Sequence, residues 1–275
     1  MKDPQQRDIL IAQLSELGFD GFEEISGKLK AYSTLGDPET IPAAHQLLQA
    51  AALTYEVKEI APQNWNALWE ANYEPVCVGT FCRIRAHFHP ADKAFTHEIC
   101  ITPKMSFGTG HHATTRQMIQ MMEKLSFNGK KVLDFGTGTG VLAILAERLG
   151  ATSVLALEND PDSAENAKDN TAQNACEQVR VAEGSLEYVG DEIFDIVLAN
   201  INRNVLMNYA AALAAATATK GQLLLSGILR EDESLLKDTF SNEGFDFKEA
   251  IHEGNWACLR FLKNNNNLNL NAGQS

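Results

Sequence analysis

The sequence predicts an α/β protein, in which a large domain built on a mostly parallel sheet of seven strands follows a small α+β unit. Two observations predict it. From Thr114 onward, short apolar strand-like runs alternate strictly with helical patterns, as they do when parallel strands are joined by crossover helices covering both faces of a sheet. One such run, KVLDF from Lys131, passes through GTGTG straight into GVLAILAERL. Strand, glycine loop and helix in that order mark the ligand-binding edge of an open sheet. With 275 residues, 44% of them hydrophobic and 21% charged, the chain has the composition of a globular protein and the length for a small and a medium domain.

Taken in order, the first element is a helix, because Leu10, Ile11, Leu14 and Leu17 share one face that ends at Gly18. FEEI and KLKAY then flank a Ser26-Gly27 turn, and a helix follows Pro42 through AAHQLLQAAA before LTYEVKEI, which reads as a strand. Helix, strand, strand, helix, strand is a ferredoxin-like unit lacking its first strand, and the chain begins too late to supply one. This small domain is expected over residues 1–60. Residues 61–94 read as a linker with bridging elements: a short helix in APQNWNALWE carries Trp65, Leu68 and Trp69 on one side, and FCRIRAHF alternates as a strand.

The large domain is expected over residues 95–263. HEICITP is a strand and TTRQMIQMMEKL a helix; KVLDF, SVLALE, QVRVAEG, FDIVLAN and GQLLLSGI are strands separated by helical segments, the first of them closed by Gly150. After the helix in REDESLLKDTFSNEG, the runs FDFKEAI and WACLRFL have no helix between them, so they should add one antiparallel strand. The tail, residues 264–275, is polar and of low complexity and is expected to be disordered.

Composition narrows the function. A formal charge of −13 argues against a sequence-independent grip on nucleic acid, which needs cations to neutralise phosphates, and suits a basic protein partner as well as plain solubility. No apolar run is long enough to span a membrane. MKDPQQRDIL lacks the basic-then-apolar pattern of an export signal, so the cytoplasm is the expected location. Five scattered cysteines without CxxC spacing read as reduced thiols. His87 and His89 alternate on a strand but have no further ligands at suitable spacing, so no metal is expected.

The chemistry concentrates in two loops that share the tetrapeptide FGTG, at Phe107–Gly110 and again 28 positions later at Phe135–Gly138. Their flanks, KMSFGTGHHATT and VLDFGTGTGVLA, share nothing else, so the copies are not a duplication. The first lies just before the first strand of the large sheet, from where it can fold across a ligand held by the second. The second reads DxGxGxG from Asp134, and the sixth position counted from Gly136 is Val141, where a dinucleotide fingerprint wants Gly or Ala. Glycines there admit a ligand to the backbone, and a helix N-terminus supplies free N–H groups. Glu158, at the tip of the next strand, is placed to accept hydrogen bonds from both hydroxyls of a ribose. Asn200 ends FDIVLAN and can either orient a substrate amine or cap the helix that begins near Arg203.

LDFGTGTG together with ALENDPDSAENAKDN resembles the class I S-adenosylmethionine-dependent methyltransferases, whose large domain is Rossmann-like. More specifically, ITPKMSFGTGHHATTRQMI resembles the PGxAFGTGxHxTT loop of the ribosomal protein L11 methyltransferases, the PrmA-type family. NWNALWEANYEPVCVG is similar to that family's linker and VLANINRNVL to its fourth-strand motif. The resemblance implies S-adenosylmethionine as cofactor, with Thr115, Gly136, Glu158 and Asn200 around it, joined by Phe107, Gly108, Thr109 and Gly138 of the two loops. It implies Asn200 as the catalytic residue and residues 1–60 as the part that recognises substrate. It also implies the acceptor, lysine ε-amines and an N-terminal α-amine of ribosomal protein L11, methylated by a cytoplasmic monomer that binds neither nucleic acid nor membrane. Pro103-Lys104 and Glu158 depart from the family's usual Pro-Gly and Asp, and its histidine aligns with His112, for which loop ordering is preferred to proton transfer. Asn-Ile-Asn from Asn200 replaces the Asn-Pro-Pro-Tyr of enzymes that act on planar amides and base amines. A methyltransferase acting on another protein or a small molecule, a noncatalytic binder of the cofactor, and a nucleic-acid methyltransferase, which the charge and the missing Asn-Pro-Pro-Tyr disfavour, are the rival readings.

Overall fold

The structure, a computed structural model, describes residues 4–19, 21–25, 28–33, 40–58, 73–104 and 106–265. The chain divides into two compact units, Met1–Asn64 and Trp65–Ser275. In the first, helices α1 (Pro4–Glu16) and α2 (Thr40–Ala50) accompany an antiparallel pair, β1 (Gly21–Ile25) and β2 (Lys28–Tyr32), with Ile25 opposite Lys28. Leu10 and Leu14 of α1 bury themselves with Ala44 of α2 in a small core of their own. The strand expected in LTYEVKEI does not form over its described residues, 53–58. Leu53 packs against the small core and Tyr55 against the His45 ring, but Val57 is 53% exposed. The Ser26-Gly27 turn, the bridging helix with Trp65, Leu68 and Trp69, and the tail beyond residue 265 lie outside the described residues.

The second unit opens with a three-stranded sheet in which β4 (Cys82–Ala86) pairs antiparallel with β3 (Val76–Val78) and parallel with β5 (His97–Ile101). The main sheet follows. Its elements in chain order are α3 (Ala113–Glu123), β6 (Lys131–Phe135), α4 (Val141–Arg148), β7 (Ser153–Glu158), α5 (Pro161–Gln173), β8 (Val179–Glu183), β9 (Phe194–Asn200), α6 (Arg203–Asn208), α7 (Ala210–Ala216), β10 (Thr217–Leu229), α8 (Glu233–Asn242), β11 (Phe245–Glu253) and β12 (Trp256–Lys263). The strands lie side by side as β11-β12-β10-β9-β6-β7-β8. Only β12 runs against its neighbours, being antiparallel to both β10 and β11, as the missing helix in that hairpin requires.

Burial explains why these runs are strands and those are helices. Four of the five residues of β6 and five of the six of β7 are buried, so the strands carry continuous apolar runs, as parallel strands covered on both faces must. On one face α3, α4 and the β3–β5 sheet pack over the main sheet through Met118, Met122, Ile144, Ile84 and Ile101. On the other, Leu206, Leu213 and Leu236 bring in α6, α7 and α8. The segment expected to be a mere bridge between domains thus contributes β3 and β4 to the core of the large unit. Chain order reverses between β6 and β9: from β6 the chain moves outward to β7 and β8, then returns to β9 on the other side. The carboxyl ends of β6 and β9 therefore flank a topological switch point, the crevice where open α/β sheets bind ligands.

Candidate active site

Both glycine loops reach that crevice and touch each other. The Thr139 backbone N–H donates to the Phe107 carbonyl (2.9 Å), and the Thr139 hydroxyl donates to the Gly108 carbonyl (2.8 Å). The contact is so close that a Cβ on Gly138 would sit 2.2 Å from the Phe107 oxygen, and one on Gly108 2.8 Å from Thr139 Oγ1. Both glycines have positive φ, a conformation that side-chain-bearing residues rarely adopt. Two segments with the same tetrapeptide thus interlock, each needing glycine where the other passes.

Five of the residues expected at the site, Phe107, Gly108, Thr115, Gly136 and Asn200, line one small cleft. Thr137, Thr139, Val141 and Leu142 complete its wall; Val141 entered the sequence reading only as a departure from the dinucleotide fingerprint, and the others were not singled out. The two threonines occupy the variable positions of GTGTG, where any small polar residue reads simply as loop; only their place between the glycines could have pointed to them. Gly138 lies behind the wall, donating its N–H to Glu158 Oε2 (2.8 Å). Glu158, 8% exposed, also accepts from the N–H groups of Asn159 (3.0 Å) and Asp160 (3.2 Å) through Oε1. Three backbone donors hold this carboxylate still and leave it part of its accepting capacity. Thr109 stands apart from the cleft, its hydroxyl 3.1 Å from His111 Nδ1.

At the floor, Asn200 Nδ2 donates to the Thr115 hydroxyl (3.4 Å). Asn200 Oδ1 is buried and has no hydrogen-bond partner. It does not cap the following helix: that position belongs to Asn202, whose side chain accepts from the Val205 N–H at 3.1 Å. Thr115 offers its hydroxyl but not its backbone N–H, which is taken by the His112 carbonyl (3.2 Å). His112 caps α3, with Nδ1 2.8 Å from Thr114 Oγ1, so its ring orders the end of the first loop. Arg116, one residue beyond Thr115, ties that same end down by donating to the carbonyls of Gly110 and His111 while pairing with Glu253 of β11.

Asp134, the leading acid of DxGxGxG, is fully buried beneath the second loop, where the Thr137 hydroxyl donates to its Oδ2 (2.5 Å). Burial pushes its carboxyl up to about 7; the Thr137 hydrogen bond works against the rise and the neighbouring Glu158 charge adds to it.

The residues present suit an adenosyl sulfonium nucleoside. Glycine lining admits a ligand to the backbone at Gly136 and Gly108, a fixed carboxylate stands at the tip of β7 for ribose hydroxyls, and Thr115 offers a hydroxyl to a polar end group.

Comparison with known proteins shows the family and the fold. Residues 20–264 match the family described as ribosomal protein L11 methyltransferase (PrmA). A ribosomal protein L11 methyltransferase of Porphyromonas gingivalis is 38% identical over 260 residues, covering 92% of this chain and 90% of that protein. One from Chlorobaculum tepidum is 38% identical over 265 residues, covering 92% and 91%. The crystal structure of a ribosomal protein L11 methylase from Lactobacillus delbrueckii subsp. bulgaricus superposes with a TM-score of 0.64 at 27% identity, over 70% of this chain and all of that one. The chain belongs to the ribosomal protein L11 methyltransferase family, enzymes of the class I fold that use S-adenosylmethionine.

Proposed function

We propose that this enzyme methylates lysine ε-amines, and an N-terminal α-amine, of ribosomal protein L11, acting as a monomer in the cytoplasm. The observation that carries the chemical part of the reading is Asn200 Oδ1, a buried acceptor without a partner at the floor of a cleft shared by both glycine loops. S-adenosylmethionine supplies a methyl group already activated on a sulfonium, so the protein's task is to hold, orient and desolvate. Gly136, Gly138, Phe107, Gly108 and Thr109 form or support the loops around the cofactor, Glu158 takes its ribose, and Thr115 takes the carboxylate of its methionyl end.

A lysine amine, with an ordinary pKa of about 10.4, must shed a proton before it can attack, and a site poor in water favours the neutral form. Asn200 Oδ1 then accepts an N–H from the neutral amine and aims its lone pair, while Nδ2 stays anchored on Thr115. An aliphatic amine needs no second clamp, consistent with Asn-Ile-Asn at this position. The family name supports L11 as substrate, the charge of −13 suits a basic partner, and residues 1–60 form the part proposed to recognise it. Incubating the purified protein with labelled cofactor and ribosomal proteins, then mapping the label by mass spectrometry, tests the assignment. Label on L11 lysines is expected; label confined to another protein would overturn the substrate reading.

A further inference from the structure

Helix α5 and its C-cap carry three asparagines four residues apart, Asn166 and Asn170 within the helix and Asn174 at the cap, all of them buried. Two hold the main chain that enters the first glycine loop. Asn174 accepts from the Cys100 N–H (3.0 Å) and donates to the Cys100 carbonyl (2.6 Å). Asn170 accepts from the Thr102 N–H (2.8 Å) and donates to the Thr139 carbonyl in the second loop (2.8 Å). Asn166, wholly buried, has a partner for neither its oxygen nor its nitrogen.

The spacing says what the third asparagine faces. Four residues of helix advance about 6 Å, and two residues of extended chain cover about 6.6 Å, so helix and strand step together. Asn174 meets Cys100 and Asn170 meets Thr102, running in opposite directions; the next step brings Asn166 to Lys104. Lys104 already lies against this helix, its Nζ 2.9 Å from Asp169 Oδ2. A buried carboxamide with no partner is costly where Leu would fill the same space, so a site that keeps one implies a partner in some state of the molecule.

We propose that Asn166 is a positioning residue for the cofactor: the third rung of an asparagine ladder, taken up by the main chain of Lys104 when the first loop seats on bound S-adenosylmethionine. The inference rests on the reading that the cofactor occupies the cleft between the loops. Because Asn170 bridges Thr102 and Thr139, the ladder joins both loops to one helix, and engaging its last rung holds them together around the ligand. Asn166 touches neither reacting atom, so its effect falls on cofactor affinity and not on the methyl-transfer step.

Hydrogen exchange on the wild-type protein, with and without S-adenosylmethionine, tests this beside calorimetry and kinetics of Asn166→Leu. The expected results are added protection of the Lys104 amide on cofactor binding in the wild type and none in the variant. Cofactor Kd and KM should rise about tenfold in Asn166→Leu, the loss of one hydrogen bond, with kcat changed less than about threefold. Equal cofactor affinity in the variant, or a fall in kcat with KM unchanged, would overturn the proposal. If Asn166→Leu does not fold, exchange on the wild type still decides: cofactor protection at residues 136–139 without any at Lys104 sinks the ladder alone, whereas protection at neither sinks the cleft reading with it.

Discussion

Replacing Gly138 by alanine probes the interlock between the loops. The new Cβ would stand 2.2 Å from the Phe107 oxygen, against backbone that cannot rotate aside, and residue 138 would have to keep a φ of 56°. A left-handed conformation costs a non-glycine residue about 1–2 kcal/mol. Relief comes most easily from the first loop, which belongs to no sheet and can swing away. That breaks the bond from the Thr139 N–H to the Phe107 carbonyl, a further cost of about 1 kcal/mol. Cofactor binding that needs both loops must restore the clash, an overpacking worth about 1–3 kcal/mol, so Kd should rise about 5- to 140-fold by calorimetry, while the φ strain, present with and without ligand, lowers stability. Gly129→Ala is the control: its φ is 74° but a Cβ there meets nothing within 4 Å, so it should lower stability by about 1–2 kcal/mol and leave affinity unchanged. If Gly138→Ala binds S-adenosylmethionine as tightly as the wild type, the two loops do not share the ligand and the reasoning fails.

Other outcomes follow from the same geometry. Gly136→Arg, whose Cβ alone would approach Ile201 Cγ2 to 2.4 Å, is expected to abolish cofactor binding, and calorimetry with undiminished affinity would refute it. Asn200→Ala should lower kcat about 100-fold with a much smaller loss of cofactor affinity, because it removes the group that orients the amine while Gly136, Glu158 and Thr115 still hold the cofactor; parallel losses in both would count against its role toward the amine. The Asp134 carboxyl, raised from its ordinary 3.8 to about 7, keeps its proton in the folded state over a range where the unfolded chain has lost it. Its contribution to stability is therefore fully present below about pH 3.8 and lost as pH climbs to about 7. Asp134→Asn lacks that term, so its melting temperature should gain on the wild type's between those limits and keep a constant offset above; an offset that does not move with pH would contradict the buried, protonated acid.

Much of the large unit could be read from the sequence because its signals are local and agree with one another. KVLDF and SVLALE are apolar at Val132–Leu133 and Val154–Leu157, as strands covered on both faces must be, and GTGTG announces the turn between β6 and α4 without reference to anything distant. The hairpin FDFKEAI–WACLRFL gave away the antiparallel strand by the absence of a helix. What could not be read depends on partners far along the chain. LTYEVKEI alternates like a strand, yet Val57 finds nothing to cover it, and alternation alone does not supply a neighbour. Nothing in HATT shows that the chain bends back to place the His112 carbonyl on the Thr115 N–H.

The asparagines of α5 show why sequence patterns under-report a site of this kind. DPDSAENAKDNTAQN has the composition of an exposed helix face, and polarity is ordinarily read as exposure. Here the polar side chains are inward because the segment they cover, Cys100 to Thr102, leaves β5 with main-chain groups that the asparagines satisfy. Buried backbone donors and acceptors require partners, and carboxamides on a helix at the matching step provide both kinds at once. A helix thereby takes over the work of an absent strand, and it does so where the chain enters the first glycine loop. The two loops carry the chemistry-bearing residues, but their mutual placement is set from behind, by Asn170 holding Thr102 with one end of its amide and Thr139 with the other.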